Sequence, residues 1–254
     1  SVRLLCESHR RLMKGVRGED KAPGEVRRTQ NWIGGTRPGN AAFVPPPPEE
    51  VSDAMTRLER WINSDDPLPP LIRSGLAHVQ FETIHPFLDG NGRIGRLLIA
   101  LLLEHWKLLS SPLLYLSLAF KRHQPEYYAR LSAVRTDGDW EGWTAFYLRC
   151  VREAADDGVD VAGRLFELLG RDRRRLASGK RSTVAALQLL DLLPDHPVVT
   201  VPRVMKLLKI TAPTARKAVE IGAEAGILRE TSGKQRDRVF AYHKYLQILT
   251  GEEA

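Results

Sequence analysis

The stretch Ile84-His85-Pro86-Phe87-Leu88-Asp89-Gly90-Asn91-Gly92-Arg93-Ile94-Gly95-Arg96 constrains this chain most. Its proline and glycines forbid a continuous helix or strand through residues 85–90. The apolar run Leu97 to Leu103 follows at once and predicts a buried helix. Gly92 and Arg93 therefore fall at or near a helix start. Such a start presents unpaired backbone N–H groups and the positive end of the helix dipole. Glycines that let the backbone come close, with two arginines added, suit a polyphosphate. Asp89 can hold a hard cation such as Mg²⁺, which takes oxygen ligands and substrate phosphates. His85, just before the loop, is placed to take a proton from an attacking group.

Three plainer readings compete. Gly90-x-Gly92-x-x-Gly95 matches a dinucleotide fingerprint, but that fingerprint needs a preceding strand and a βαβ unit, and neither is predicted here. A metal pair of His85 and Asp89 needs one helix, which Pro86 and Gly90 break. A mere turn before a core helix leaves the histidine, asparagine and arginines unexplained.

The stretch resembles the signature of the Fic family, His-Pro-Phe-x-Asp/Glu-Gly-Asn-Gly-Arg-x-x-Arg. His85, Pro86, Phe87, Asp89, Gly90, Asn91, Gly92, Arg93 and Arg96 match every fixed position. The resemblance implies transfer of a nucleotide, AMP from ATP in most members, to a hydroxyl side chain of a target protein. By it, Asp89 holds Mg²⁺, and Asp89 to Arg96, with Ile94 and Gly95, bind the nucleotide. The members that phosphorylate instead carry lysine where this chain has Gly92. Many relatives carry an inhibitory helix, Ser/Thr-x-x-x-Glu-Gly/Asn. No segment matches it, since Glu141-Gly142 is preceded at that spacing by Asp137. The chain opens without methionine, so the expectation is a segment upstream of Ser1 or inhibition from another chain.

The rest of the chain reads as mainly α. Residues 1–17 form an amphipathic helix with Leu4, Leu5, His9 and Leu12 in one stripe. Thr29 to Gly35 and Ala41 to Val44 predict a short hairpin. In Fic-like proteins this segment is a flap over the active site that grips the target's extended backbone, a mode an edge strand serves well. Ile33, Gly34, Gly35 and Thr36 are its candidate contacts, counted with the nucleotide-binding set. Pro45 to Pro48 form a stiff spacer. A helix then starts near Glu49 with Val51, Met55, Leu58 and Ile62 on its buried face. A second, over 71–84, delivers His85, and the motif helix runs to about Leu109. Another helix begins near Phe120. By resemblance Tyr127 lines the adenine or ribose pocket, with Arg135 further along. Trp140, Trp143, Phe146 and Tyr147 predict an aromatic core helix.

Residues 181–254 predict helices over 182–193, over 199–208 with Thr200 as cap, and over 212–225 with Thr211 as cap. A hairpin of Ile227 to Glu230 with Arg238 to Tyr242 follows. That order resembles a winged helix-turn-helix domain. Arg216, Lys217, Lys234, Arg236 and Arg238 are its candidate contacts to DNA phosphates or a partner protein. The expected organisation is a Fic-type helical bundle with a hairpin flap over 1–165, a helical linker over 166–180, and a winged helix over 181–254.

Over 254 residues the formal charge is +7, which favours acidic partners. Cys6 and Cys150 have no metal or redox spacing and read as reduced thiols, which predicts a cytoplasmic protein. No apolar run approaches a membrane span. The expected function is a protein adenylyltransferase using ATP and Mg²⁺, with His85 as base and a target protein at the flap. Alternatives are a Fic-type transferase with another donor and a nucleotide-sensing DNA-binding regulator. The organisation also allows a homodimer.

Overall fold

The computed structural model describes residues 1–110, 114–179, 181–234 and 236–251. It is mainly helical, with one small three-stranded sheet. It divides into two compact units, Ser1–Gly158 and Val159–Ala254. The division falls inside a long helix, ahead of the 166–180 stretch expected as a linker, and Leu168 and Leu176 belong to the second unit's core.

The first unit contains α1 (Val2–Leu12), α2 (Pro48–Ile62), α3 (Pro70–Ile84), α4 (Asn91–His105), α5 (Leu116–Arg122), α6 (Gln124–Asp137) and the first half of α7 (Trp140–Ala177). Helices α2 and α3 each open with proline inside the first turn, where the missing N–H costs nothing. Glu49 and Glu50 add negative charge beside the start of α2. Buried Arg73 of α3 donates to the carbonyls of Trp61, Ile62 and Ser64 and so satisfies the end of α2.

Helices α3 and α4 run through the middle of this unit and feed two apolar clusters. One joins Leu5, Val51, Met55, Phe81, Phe87, Ile94 and Leu98. The other joins Val79, Ile99, Leu103, Phe120, Tyr127, Trp143 and Tyr147. Because α3 is covered on more than one side, it has little amphipathic pattern. Close packing demands Gly75, where a Cβ would lie 2.6 Å from the Tyr147 ring.

Several sequence expectations change. The hairpin at 29–44 shrinks to a single bridge between Ile33 and Phe43, because Pro38–Asn40 form a 3₁₀ turn and prolines follow directly. Helix α4 ends at His105, short of Leu109, with Lys107 in the left-handed region just beyond. Two helices stand where one was expected to begin near Phe120, broken at His123. Trp140 is 43% exposed, whereas Trp143, Phe146 and Tyr147 are buried. On α1, Leu5 and His9 face inward while Leu4 and Leu12 stay exposed.

The second unit holds the end of α7, α8 (Val184–Leu192), β1 (Val198–Thr200), α9 (Val201–Leu208), α10 (Ala212–Glu224), β2 (Arg229–Glu230), β3 (Val239–Ala241) and α11 (His243–Thr250). The start of the expected 199–208 helix is strand: Val199 pairs with Phe240. Thr200 ends the strand and caps α9, its hydroxyl accepting from Arg203 N. Thr183 caps α8, its hydroxyl accepting from Ala186 N. Thr211 stands at the N-cap of α10, but its hydroxyl pairs with Thr214 instead of the helix backbone. The sheet is antiparallel in the order β1-β3-β2. Leu189, Leu190, Val204, Ala218, Val219, Leu228, Phe240 and Tyr242 close its core. The Tyr242 hydroxyl donates to buried Asp172 at 2.8 Å.

Candidate active site

Helix α3 ends at His85, which adopts the left-handed conformation (φ 51°, ψ 60°) and turns the chain out of the helix. For a residue with a Cβ this costs about 1–2 kcal/mol, so neighbours must enforce it. Arg27 does so. It is buried, its Nε donates to the His85 carbonyl at 2.9 Å, and its guanidinium also reaches the carbonyls of Thr29, Pro46 and Ile84. A cation at a helix C-terminus is also favourable to the dipole.

The loop after His85 is fixed from inside. Buried Asn91 accepts from Phe87 N at 2.9 Å and donates back to Phe87 O at 2.7 Å. His9 of α1 stacks on Phe87 with ring centroids 3.9 Å apart. One His9 nitrogen accepts from Gly24 N, and the other donates to the Asp89 carbonyl at 2.9 Å. These partners define a neutral ring, and burial pushes its pKa down. Gly90 has φ 82°, and a Cβ there would lie 2.8 Å from Met13 Sδ. The positive φ and the tight space together require glycine.

Helix α4 begins at Asn91, next to this loop. The Asp89 carboxylate accepts from Gly90 N and faces Arg93 at 3.7 Å. Arg93 also donates to the Arg17 carbonyl. A cavity of about 410 Å³ opens beside Arg93 and Arg96, walled by Leu12, Leu97, Ala100 and Tyr115 among others. A larger cavity, about 810 Å³, is lined by Leu58, Trp61, Ile72 and Leu148 and touches no motif residue, so size alone does not mark the site.

His85 is 17% exposed at its side chain, and desolvation lowers its pKa to about 4. The ring is therefore neutral at neutral pH. Its Nδ1 lies 3.3 Å from the Glu82 carbonyl, which can only accept, so Nδ1 carries the proton. Nε2 is left with a lone pair, which is the state a general base needs.

Behind His85 lies Glu82, a buried carboxyl whose pKa is raised to about 7 by desolvation, with Arg96 and Arg135 pulling the other way. Its Oε2 stands 3.8 Å from His85 Nδ1, and its Oε1 has no hydrogen-bond partner among the described residues.

The structure brings His85, Asp89, Gly92, Arg93 and Arg96 together around the start of α4 and gives other expected contact residues protein partners of their own. The Asn91 side chain is consumed inside the loop. Ile94 is core. Gly95 faces α3, where a Cβ would lie 3.1 Å from His78 Nδ1. Tyr127 is buried at the same interface, its hydroxyl 2.9 Å from His78 Nε2, while Tyr128 is 54% exposed. Arg135 links α6 to the flap base: it donates to Glu82 O and Thr83 Oγ1 and lies 3.9 Å from the Phe43 ring centroid. Gly34, Gly35 and Thr36 are exposed, and Ile33 makes the flap's bridge. Asn40 accepts from Thr36 N and Arg37 N and shapes the flap's tip.

His9, Arg27 and Glu82 were not legible as site residues. His9 and Arg27 lie far from the motif in sequence. Glu82 carried one signal, a carboxylate one helical turn before His85, between apolar Phe81 and Ile84 on the same helix.

No group of three or more metal-ligating side chains occurs among the described residues. One half-exposed carboxylate, Asp89, fits Mg²⁺ that arrives with nucleotide phosphates and keeps waters, and does not fit an all-protein cage. In the second unit Arg216, Lys217, Lys234, Arg236 and Arg238 are all exposed. No described helix is long and apolar enough to cross a membrane.

Residues 1–103 match the Fic/DOC family. The protein adenylyltransferase Fic of Drosophila erecta is 32% identical over 158 residues, 61% of this chain and 29% of that protein. Its Culex quinquefasciatus counterpart is 34% identical over 158 residues, 61% of this chain and 28% of that protein. The chain spans less than a third of the length of these curated relatives. A crystal structure of a Fic family protein from Desulfovibrio desulfuricans G20 superposes with a TM-score of 0.55 at 25% identity, covering 95% of this chain and 68% of that one. The motif is complete, and its loop is built at the start of α4, within the residues that match the Fic/DOC family.

Proposed function

We propose that the chain is a protein adenylyltransferase that moves AMP from ATP to a Ser, Thr or Tyr hydroxyl of a target protein. One observation carries the reading: a buried, neutral His85 with its Nε2 lone pair available beside the arginine-flanked start of α4. The names of the curated relatives support it.

On this reading the backbone at Gly92 and the guanidiniums of Arg93 and Arg96 bind the phosphates and offset their charge. Asp89 holds Mg²⁺, which supplies further charge neutralisation when bound. The target's extended segment lies along the flap at Ile33 to Thr36. His85 Nε2 takes the hydroxyl proton as the oxygen attacks the α-phosphorus. The oxygen–phosphorus bond forms, the α–β phosphoanhydride bond breaks, and pyrophosphate leaves. Catalysis is mostly positioning and charge stabilisation.

The test is incubation of the protein, and of His85→Ala, with Mg²⁺ and ATP labelled at the α- or γ-phosphate. Protein labelling from the α position alone, lost in the variant, is expected, with self-modification standing in for the target. Labelling from γ alone would make the chain a kinase and overturn the donor orientation. Loss of ATP binding in His85→Ala would count against the role given to the imidazole.

A second reading is favoured by the exposed basic residues of the second unit. The order of α8, β1, α9, α10 and the β2–β3 hairpin suits a winged helix-turn-helix domain, with Arg216 and Lys217 on α10 and Lys234, Arg236 and Arg238 on the hairpin meeting phosphates. A gel shift with double-stranded DNA separates DNA binding from protein docking. Binding that weakens steeply with salt and is lost in Arg216→Glu/Lys217→Glu supports the DNA arm.

A further inference from the structure

The face that α3 turns toward α4 carries His78, Glu82 and His85 at helical spacing. All three are polar, on a stretch of α3 whose other buried residues, Val79, Phe81 and Ile84, are apolar. The opposing α4 surface is glycine at positions 92 and 95, and those missing side chains make the room. A Cβ on Gly95 would collide with Glu82 Oε1, and one on Gly92 would lie 3.9 Å from it. A carboxyl enclosed this completely, with one oxygen lacking any hydrogen-bond partner among the described residues, is costly to keep. A neutral side chain at this position would carry no such charge-burial cost.

We infer that Glu82 is a positioning residue for His85: its carboxylate, 3.8 Å from Nδ1, orients the imidazole and balances the positive charge that the ring gains when it takes the target's proton at Nε2. This rests on the reading of His85 as the base. Before the reaction the ring is neutral, and Glu82 is not in a standing ion pair. When the proton arrives at Nε2, Nδ1 keeps its own, and the imidazolium faces the carboxylate through the Nδ1–H edge. The proton then leaves to solvent from Nε2. The logic is that of any histidine base held by a buried acid, where the acid stays ionised and never receives the proton.

The other charged and titratable groups around the pair are consistent with this. From α4, Arg96 acts on Glu82, and from α6 Arg135 does, both favouring the ionised carboxylate. Tyr127 of α6 and His78 of α3 are both held neutral by burial. Around His85 itself, Arg135 and Arg27 oppose the imidazolium, and Asp89 favours it only as the weakest influence. Glu82 is the only buried carboxylate among the described residues placed near Nδ1 to offset the two guanidiniums. Burial raises its pKa to about 7, so the fraction ionised changes across the neutral range.

The test uses the full chain with labelled histidine and follows the His85 ring by NMR from acid to alkaline pH, in wild type and in Glu82→Gln. In wild type the ring signals should inflect twice, once at the ring's own protonation and again where Glu82 ionises. Glu82→Gln should remove the upper inflection and leave the ring's own midpoint little changed, because that midpoint lies where Glu82 is already protonated and neutral. Turnover, measured by α-labelled ATP, should fall about ten- to a hundred-fold in Glu82→Gln with the KM for ATP unchanged. It should also lose its rise through neutral pH. A His85 ring that titrates identically in the two proteins overturns the inference. Should Glu82→Gln fail to fold, a single wild-type inflection overturns it equally. Coupled titration in a protein that transfers no AMP would instead overturn the transferase reading and leave the Glu82–His85 couple standing.

Discussion

Glu82 and Gly95 occupy one another's space: the Glu82 Oε1 fills the position where any side chain at 95 would place its Cβ. A buried acid on α3 and a glycine on α4 are thus a single packing feature. It ties the helix that ends at His85 to the helix that follows the motif loop.

Gly95→Ala should therefore destabilise the first unit despite alanine's better helix propensity. The propensity gain is about 1 kcal/mol. Overpacking against a buried, backbone-anchored helix costs about 1–3 kcal/mol. The expected outcome is a lower urea midpoint together with reduced activity, because Glu82 must move away from His85. A variant as stable and active as wild type would show that α3 and α4 can part freely.

The pH dependence of stability follows from the sign of the Glu82 shift. Its folded pKa, about 7, lies above the ordinary carboxyl value of 4.5. The folded state thus favours the protonated form. That contribution is complete below 4.5 and is lost as pH rises through 7. Glu82→Gln, which never ionises, should gain stability relative to wild type as pH rises from 4.5 to 8, on the order of 3 kcal/mol. Thermal unfolding at pH 5 and pH 8 measures it. An equal difference at both pH values contradicts the burial of an ionisable group.

Arg27 gathers the carbonyls of Thr29, Pro46, Ile84 and His85. Lysine brings one compact ammonium in place of a fork and cannot reach them all. Arg27→Lys should lose about 2–4 kcal/mol of stability. It should also lower turnover more than ATP affinity, since His85 loses the contact that enforces its left-handed backbone. Denaturation and ATP titration read the two effects separately.

Phe43 meets the Arg135 guanidinium at 3.9 Å and pins the base of the flap to α6. Phe43→Ala removes a contact worth about 1 kcal/mol. The expected result is a higher KM for the protein target with ATP affinity unchanged. Loss of ATP affinity instead would assign this part of the flap to the nucleotide.

Segments whose conformation is local could be read directly from the residues. Pro48 and Pro70 start helices, Gly90 turns the chain with a positive φ, Thr200 caps α9, and the apolar run after Arg96 becomes the buried α4. The motif at 85–96 made the candidate histidine and the arginine-flanked helix start readable from the residues alone, because backbone N–H groups, glycines and charges act at short range. Tertiary structure decided what each side chain faces. Asn91, Ile94, Gly95 and Tyr127 look outward in the motif's logic, yet they serve the packing between α3, α4 and α6. His9, Arg27 and Glu82 reach the site from other helices and loops or from the buried side of α3. Their roles arise from distances between segments far apart in the chain, or from burial that shifts a proton equilibrium. Neither leaves a periodicity or a spacing to read, which is why the motif histidine was visible in the sequence and the groups that hold it were not.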